Sequence, residues 1–381
     1  IGKKIFSVQD IKLVDIHGQY LGIRTDVQQA IQQVIDAADF IQGAPVREFE
    51  RSLSNYLGGS SVISCGNGTD ALQIAMMALE YKPGDEIIVP AFTYAATVEV
   101  LALLGLVPVF VDVDEDTFNI DVNSIAKVIT SKTKAIVPVH LFGQCADMET
   151  LLKLAAAHRL DIIEDAAQSL GAKYTFSNGE RKRSGCIGVI GATSFFPTKN
   201  LGAYGDGGAV FTSDPALAEK LRMIANHGQK KKYYHDIVGV NSRLDTLQAA
   251  ILRVKLARLD EYESKRQQAA KWYDAHLAGV SSIIRPKRVP FSTHVFHQYT
   301  IRVKDGKRDA LRQFLDGRNV PSMVYYPLPI HLQNAYRQSK YGPGSFPVSE
   351  SLSTSVLSLP MHSELDEEQM SYICDSIGKF H

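Results

Sequence analysis

The chain has 381 residues, of which 45% are hydrophobic and 22% charged, and its 41 basic side chains balance 41 acidic ones. Zero formal net charge argues against a nucleic-acid-binding or membrane-surface protein, since both usually carry a basic excess. The four cysteines have no Cys-x-x-Cys spacing, so we expect no disulfide framework and a reducing compartment. No apolar run is long enough to cross a membrane and no signal peptide is visible, which predicts a cytoplasmic protein of enzyme size.

The first two thirds of the chain alternate helical patterns with short apolar runs. Helical spacing of apolar residues predicts helices over 26–38, 46–57, 70–79, 95–104, 148–158 and 215–226. Apolar runs predict strands over 61–64, 86–90, 108–113, 135–141, 161–164, 192–196 and 209–212. This alternation favours a mainly parallel sheet covered by helices on both faces. Such sheets bind ligands at the carboxyl ends of their strands, so polar residues just after each apolar run are the candidates for a site.

The last third of the chain has a different pattern. Residues 244–277 contain no Pro or Gly and keep apolar residues at helical spacing, which predicts one or two long helices. Beyond residue 283 come a β-like segment at 296–303, a helix at 308–318 and Pro-rich loops. We therefore expect a large α/β domain over 1–250 and a smaller C-terminal α+β domain over 251–381.

Lys199 is the candidate for covalent chemistry. It stands between a strand-like apolar run and a glycine-rich turn, with no second cation nearby. Desolvation lowers the pKa of an amine, and a neutral amine can form a Schiff base. A lysine in a solvated surface loop is the commoner situation, so this assignment needs support from other parts of the chain.

Three further features lie at predicted strand ends. The turn at 64–69 precedes a helix, whose free N–H groups and dipole favour a phosphate. Strand alternation puts Glu164 and Asp165 on opposite sides, and one of them could hold a proton on the ring nitrogen of a ligand. Tyr94 could stack on a planar ring. Each feature also has a purely structural explanation, but with Lys199 they follow the order that a pyridoxal phosphate (PLP) enzyme requires. No cluster has metal-ligand spacing, so we expect no metal.

Ordered motifs along the chain extend this interpretation to a family. The chain resembles the DegT/DnrJ/EryC1/StrS-type sugar aminotransferases, which are PLP-dependent, have fold type I and modify nucleotide-linked keto sugars. The resemblance covers nearly all of the sequence. Its main motifs are SCGNGTDAL (64–72), PAFTYAAT (90–97), IEDAAQSLGA (163–172), SFFPTKNLGAYGDGGAVFT (194–212), GVNSRLDTLQAA (239–250) and YPLPIH (326–331).

The resemblance implies a role for each residue of a cofactor site. Lys199 would form the Schiff base with PLP, and Asp165 would pair with its pyridine nitrogen. The other implied cofactor-binding residues are Gly68, Thr69 and Ser194 at the phosphate, Tyr94 on the ring, Gln168 near the phenolic oxygen, and Asn241 from the partner subunit. Relatives are homodimers with shared active sites, which is why Asn241 would act across the interface.

The resemblance also implies substrate-binding residues. These are Arg243, Tyr325, Tyr326 and His331. Relatives often carry His at the position of Tyr325, so the role of this residue stays open. The implied reaction moves an amino group from glutamate, leaving 2-oxoglutarate, to a keto sugar carried by a nucleotide.

The motifs favour one substrate and leave alternatives. The segment 241–245 resembles enzymes that act at C3, and the whole chain most resembles the branch that aminates UDP-2-acetamido-2-deoxy-3-oxo-glucuronate for surface polysaccharide. The alternatives are a dTDP-3-keto-6-deoxyhexose as substrate, or a PLP-dependent dehydratase that retains the lysine. A PLP-binding regulator would need an attached DNA-binding segment, which we do not expect because the resemblance covers nearly the whole chain.

Overall fold

A computed structural model describes residues 10–380 of the chain. Its helices are α1 (Ile16–Ala37), α2 (Ala44–Tyr56), α3 (Gly68–Ala78), α4 (Ala96–Leu103), α5 (Val122–Ile125), α6 (Met148–His158), α7 (Pro215–Ala225), α8 (Thr246–Leu256), α9 (Leu259–His276), α10 (Arg308–Asp316), α11 (Pro347–Ser355) and α12 (Glu367–Gly378). Its strands are β1 (Ser61–Cys65), β2 (Glu86–Pro90), β3 (Val107–Val111), β4 (Thr133–Ile136), β5 (Asp161–Asp165), β6 (Lys173–Thr175), β7 (Arg181–Arg183), β8 (Ile190–Ser194), β9 (Gly208–Thr212), β10 (Gln229–Lys231), β11 (Tyr234–His235), β12 (Ile283–Ile284), β13 (Tyr299–Val303) and β14 (Val356–Leu359).

A seven-stranded sheet forms the centre of the larger part of the molecule. Its strand order is β1-β9-β8-β5-β4-β2-β3. The neighbouring pairs are parallel except those of β9, which runs antiparallel to both β1 and β8. The predicted mainly parallel sheet is confirmed, and its strand ends meet at one edge.

Both faces of this sheet are covered by helices, as predicted. Alternation along a strand sends neighbouring side chains to opposite faces. Ile63 of β1 packs in a core with helices α3, α4 and α7. Val62, one residue earlier, packs with α2 and α8 on the other face. Farther along that second face, Ile162 of β5 packs with α6.

The predicted helix at 26–38 is longer than expected. The structure begins α1 at Ile16, where the side chain of Asp15 accepts a hydrogen bond from the backbone N–H of Gly18. Two glycines in the first turns, Gly18 and Gly22, weaken the local helical signal, since glycine lowers helix propensity. The buried residues of α1 nevertheless follow helical spacing, and they are Ile23, Val27 and Val34.

The predicted strand at 135–141 is the clearest correction to the element boundaries. Strand β4 ends at Ile136, and the chain then forms a turn of 3-10 helix over Leu141–Gly143. Pro138 lacks an N–H and cannot donate to a neighbouring strand. Its carbonyl still accepts from the Asp165 N–H, so the apolar run stays beside β5 after it leaves the ladder.

The C-terminal part is a smaller α+β unit. Strands β12, β13 and β14 form an antiparallel sheet, and its core includes residues of α10 and α12. The predicted run of long helices is two helices, α8 and α9. Leu252 of α8 packs in the core of the large sheet, whereas Tyr273 of α9 packs with the C-terminal sheet. The division of the chain at residue 250 stays a prediction.

Within residues 10–380, no helix has both the length and the apolar character that a membrane span requires.

Candidate active site

A cavity of about 590 Å³ opens at the carboxyl ends of β5 and β8, beside the N-terminus of α3. Most of the predicted site residues lie on its wall. They are Gly68, Thr69, Tyr94, Asp165, Gln168, Ser194, Lys199, Tyr325 and Tyr326. The structure thus brings together motifs that are up to 258 positions apart, from Gly68 to Tyr326.

Lys199 is half-buried on the cavity wall, five residues after the end of β8. Burial lowers the pKa of its amine from 10.5 to about 8, while the negative charge of Asp165 acts in the opposite direction. Among the described residues, no side chain or carbonyl accepts a hydrogen bond from this amine. A free amine with a lowered pKa is what Schiff-base chemistry requires.

A second lysine, Lys255, also has a pKa lowered to about 8 by burial. Its amine donates to the carbonyl of Gly202 at 2.5 Å, and the side chain does not line the cavity. Geometry therefore distinguishes the two lysines: the amine of Lys199 faces a cavity, and that of Lys255 is held by the backbone.

Asp165 is the last residue of β5 and is 6% exposed. Its carboxylate accepts hydrogen bonds from Thr97 Oγ1 at 2.8 Å and from the Ala167 N–H at 3.1 Å. These two hydrogen bonds fix the orientation of the side chain. Asp165 therefore presents an oriented carboxyl group at the cavity wall.

Glu164 faces the opposite side of β5, as strand alternation predicts. It is fully buried, and it accepts from His140 Nε2 at 2.9 Å and from three backbone N–H groups, those of Gly185, Ile187 and Gly188. The Nδ1 atom of His140 accepts from the Ala146 N–H, so its proton is on Nε2. The two adjacent acids are therefore not a catalytic pair.

The N-terminus of α3 forms a cradle for an anion. Asn67 caps the helix, and its side chain and carbonyl accept from the N–H groups of Asp70 and Ala71. The N–H groups of Gly68 and Thr69 have no acceptor among the described residues. A Cβ added to Gly68 would lie 2.7 Å from the Cβ of Ser194, so only glycine fits here. Two free N–H groups, a helix dipole and the adjacent hydroxyl groups fit a phosphate.

An aromatic wall closes one side of the cavity. The Tyr94 ring is 59% exposed, and its centroid lies 6.0 Å from that of Tyr326. The Gln168 amide donates to the Tyr326 hydroxyl at 3.0 Å, while its Oε1 accepts from the Phe142 N–H at 2.8 Å. Burial raises the pKa of Tyr326, which keeps this phenol neutral. A planar ring fits between these groups, and PLP has both the ring and the phosphate that this site suits.

Asn241 and Arg243 lie outside the cavity of their own chain. Asn241 is exposed, and Arg243 lines a separate cavity of about 380 Å³. Ser242 lies between them and joins their segment to the N-terminal end of α3, since its hydroxyl donates to Asp70 at 2.6 Å and accepts from the Gly66 N–H at 2.8 Å. The segment is therefore on the outer side of the phosphate cradle.

His331 also lies outside the cavity in which the sequence interpretation put it. The ring is fully buried, with Nε2 at 3.1 Å from Glu350 and the ring centroid 4.7 Å from that of Phe346. Burial lowers its pKa below the ordinary value. A substrate contact by His331 stays a prediction that this position does not support.

Sequence reasoning missed several polar residues of the cavity, among them His297 and Gln298. His297 is 4% exposed, and its Nδ1 has no hydrogen-bond partner among the described residues. Burial and the nearby charges of Lys199 and Arg266 hold its pKa well below the usual range, so the imidazole is neutral. The signal in the sequence is a polar pair just before β13, which by itself indicates no site.

Known proteins match the chain along nearly its whole length. The model of the DegT/DnrJ/EryC1/StrS aminotransferase family matches residues 22–378. A pleiotropic regulatory protein of Geobacillus stearothermophilus is 46% identical, over 98% of this chain and 99% of its own length. The UDP-2-acetamido-2-deoxy-3-oxo-D-glucuronate aminotransferase of Pseudomonas aeruginosa is 44% identical, over 96% and 99%. The dTDP-3-amino-3,4,6-trideoxy-alpha-D-glucose transaminase of Streptomyces venezuelae is 40% identical, over 97% and 96%.

Solved structures agree with this family. The DesV protein of S. venezuelae superposes with a TM-score of 0.93 at 40% identity, covering 98% of this chain and 99% of its own. NtdA of Bacillus subtilis, solved with the cofactor PMP, gives a TM-score of 0.89 at 31% identity, over 98% and 86%. Fold type I and the PLP dependence of the family are as the sequence predicted. The chain belongs to the DegT/DnrJ/EryC1/StrS aminotransferase family and is a PLP-dependent sugar aminotransferase.

Proposed function

We propose that this enzyme transfers the amino group of glutamate to the C3 keto carbon of UDP-2-acetamido-2-deoxy-3-oxo-glucuronate, in the synthesis of surface polysaccharide. One observation carries the aminotransferase part of the proposal: Lys199, with its lowered pKa, shares a cavity with Asp165 and the anion cradle of α3. The relative of 44% identity that acts on this sugar supports the substrate.

The residues of the cavity have distinct tasks in this proposal. Gly68, Thr69 and Ser194 bind the phosphate of PLP, and Tyr94 packs on its ring. When bound, PLP supplies an electron sink that makes the α-proton of an amino donor acidic. Asp165 holds a proton on the ring nitrogen, since an ionised carboxylate stabilises a cation beside it. The neutral Nζ of Lys199 removes the proton from the α-carbon of the donor, and burial increases the neutral fraction of this amine by lowering its pKa to about 8.

We also propose a homodimer with shared active sites. Asn241 and Arg243 lie outside their own cavity, beside the outer end of the phosphate cradle. A second subunit packed at this surface would receive Asn241 at its cofactor phosphate and Arg243 at its sugar. A uronate carries a carboxylate at C6, and a guanidinium is its natural bidentate partner.

Arg243 separates the proposed substrate from the runner-up. A dTDP-3-keto-6-deoxyhexose, favoured by the relative of 40% identity that acts on a dTDP sugar, has no carboxylate for Arg243 to bind. Arg243→Ala is therefore expected to lower kcat/KM for the uronate by about 10- to 100-fold, the loss typical of a charged hydrogen bond, and to affect the 6-deoxy sugar much less. Equal losses on both sugars would remove the carboxylate role.

The substrate itself is tested with a panel of keto-sugar nucleotides and glutamate, and the products are identified by mass spectrometry. The proposal predicts a 3-amino uronate, formed only when glutamate is present. A dehydrated product formed without glutamate would indicate the dehydratase alternative. PLP binding without turnover of any sugar in the panel would contradict the proposal and favour a regulatory role, the role named for the relative of 46% identity.

A further inference from the structure

Lys255 is a buried cation without a counter-ion among the described residues. It is 1% exposed, on helix α8. Within residues 10–380 its amine makes one hydrogen bond, to the carbonyl of Gly202, and Nζ lies 5.1 Å from the centre of the Tyr204 ring. Removing an ammonium group from water is costly, and lysines are rarely this buried unless they are paired. The position therefore needs an explanation that packing alone does not supply.

The carbonyl that Lys255 binds belongs to the turn that carries Lys199. Ala203 donates from its N–H to the carbonyl of Phe195 at 2.7 Å, which folds the turn back onto the end of β8. A Cβ on Gly202 would lie 2.3 Å from the carbonyl oxygen of Pro197, so the two sides of the turn are in close contact. Residues 195–204 therefore form one compact loop, with Lys199 at its centre.

A second residue of α8 holds the same loop. The Gln248 side chain accepts from the Tyr204 N–H at 2.9 Å, and its amide nitrogen lies 3.5 Å from the Tyr204 carbonyl. Gln248 and Lys255 are seven residues apart, which puts them on the same face of a helix. One face of α8 thus binds the backbone N–H and carbonyl of Tyr204 and the carbonyl of Gly202.

We propose that Lys255 and Gln248 are positioning residues that fix the loop of Lys199 against α8, so that the reactive amine points at Asp165 in the cavity. The amine of Lys255 is already bonded to a carbonyl and does not line the cavity, so it is not itself a reacting group. This inference depends on the proposed covalent role of Lys199.

The test uses the purified enzyme stripped of PLP and then supplied with PLP alone. Lys255→Met keeps the unbranched side chain to within one atom of its length and removes its charge and its donor. The matched control is Arg253→Met, which removes an exposed cation two residues earlier on α8, where the arginine pairs with Glu48. The readouts are the rate of PLP capture, followed by visible absorption, and the hydrogen exchange of the amides in 201–205.

We expect Lys255→Met to capture PLP at least tenfold more slowly, because small displacements of a reacting group carry losses of this size. Exchange should rise within 201–205 and stay unchanged in the strands of the large sheet. Lys255→Arg should recover part of the rate, since a guanidinium can still donate to the Gly202 carbonyl. Arg253→Met should match the parent in both readouts.

A Lys255→Met variant with the PLP capture rate and the hydrogen exchange of the parent enzyme would overturn the proposal. Hydrogen exchange that rises equally across the whole large sheet would also overturn it. If Lys255→Met does not fold, the Gln248→Leu variant decides. We expect it to show the same local rise in hydrogen exchange around Tyr204, and an unchanged rate of PLP capture would contradict the proposal.

Lys199→Ala separates this proposal from the proposed function. PLP captured covalently by that variant would refute the role of Lys199, whatever the Lys255 variants show.

Discussion

The amine of Lys199 reacts only in its neutral form, so its protonation sets the pH dependence of PLP capture. Burial lowers its pKa from 10.5 to about 8. The neutral fraction of Lys199 therefore rises about tenfold per pH unit below about pH 8 and can at most double above it, whereas the neutral fraction of an ordinary lysine would keep rising steeply up to about pH 10. We expect the capture rate of the PLP-free enzyme to level off above about pH 8, measured by stopped-flow absorption. A rate that still climbs steeply between pH 9 and 10 would contradict the assignment.

Asp165 and Glu164 are adjacent in sequence, but we expect substitutions at the two positions to have different effects on activity and stability. Asp165→Asn removes the charge facing the cavity, and kcat/KM should fall about 10- to 100-fold with little change in Tm, since hydrogen bonds to charged groups contribute about 1.5–3 kcal/mol. Glu164→Gln places an amide among three N–H donors, so its main effect should be a lower Tm. Steady-state kinetics and thermal melts of both variants, each with its PLP content measured, check this. A lower Tm without loss of kcat/KM in Asp165→Asn would contradict it.

At the scale of single elements, the start of α3 and the end of β8 pack closely at Gly68 and Ser194. In Gly68→Ala the new methyl would lie 2.7 Å from the Cβ of Ser194 and would push the helix N-terminus away. We expect PLP affinity to fall at least tenfold, the equivalent of about one hydrogen bond to a charged group. Equilibrium titration of the PLP-free enzyme measures it.

Gly22→Ala is the matched control for this variant. Apart from its chain neighbours and the backbone of its own helix, no atom of the described residues lies within 4 Å of a Cβ at Gly22, which is in the interior of α1. Alanine there should leave PLP affinity unchanged and stabilise the fold by up to about 1 kcal/mol, because alanine has the higher helix propensity. Equal affinity losses in the two variants would show that the effect at Gly68 is not local.

Local sequence signals are sufficient to predict some elements of the fold and not others. Helix α7 starts as predicted because Asp214 caps it and Pro215 follows, two local signals. The antiparallel direction of β9 has no local signal, since the run 208–212 is buried along its whole length and looks like its parallel neighbours. Whether a strand runs parallel or antiparallel to its neighbour depends on how the loops bring the two strands together in space.

At the scale of the whole molecule, local sequence motifs indicate some parts of the site and not others. The cradle of α3, Asp165 and Lys199 each lie at or after the end of a strand in a recognisable motif, so the sequence predicts them together. His297 approaches Lys199 only because the C-terminal unit folds back onto the large sheet. The burial of His331 likewise depends on contacts with Glu350 and Phe346, which no local pattern indicates.

A hybrid dimer tests whether active sites are shared. Lys199→Ala and Arg243→Ala subunits carrying different tags are co-expressed, and the hybrid is purified through both tags. With shared sites, one site of each hybrid combines an intact Lys199 with the intact Arg243 of the other subunit, so about half of the parental activity on the uronate is expected. Activity no higher than the mean of the two single-variant dimers would place both residues in the site of one chain.

The central claim is that Lys199 is the residue that holds PLP. Borohydride reduction of the PLP-loaded enzyme, followed by proteolysis and peptide mass spectrometry, tests it most directly, because reduction fixes the cofactor on the lysine that bears it. We expect one pyridoxyl group per chain, on Lys199. A pyridoxyl group on Lys255 or on any other lysine, with Lys199 unmodified, would contradict it.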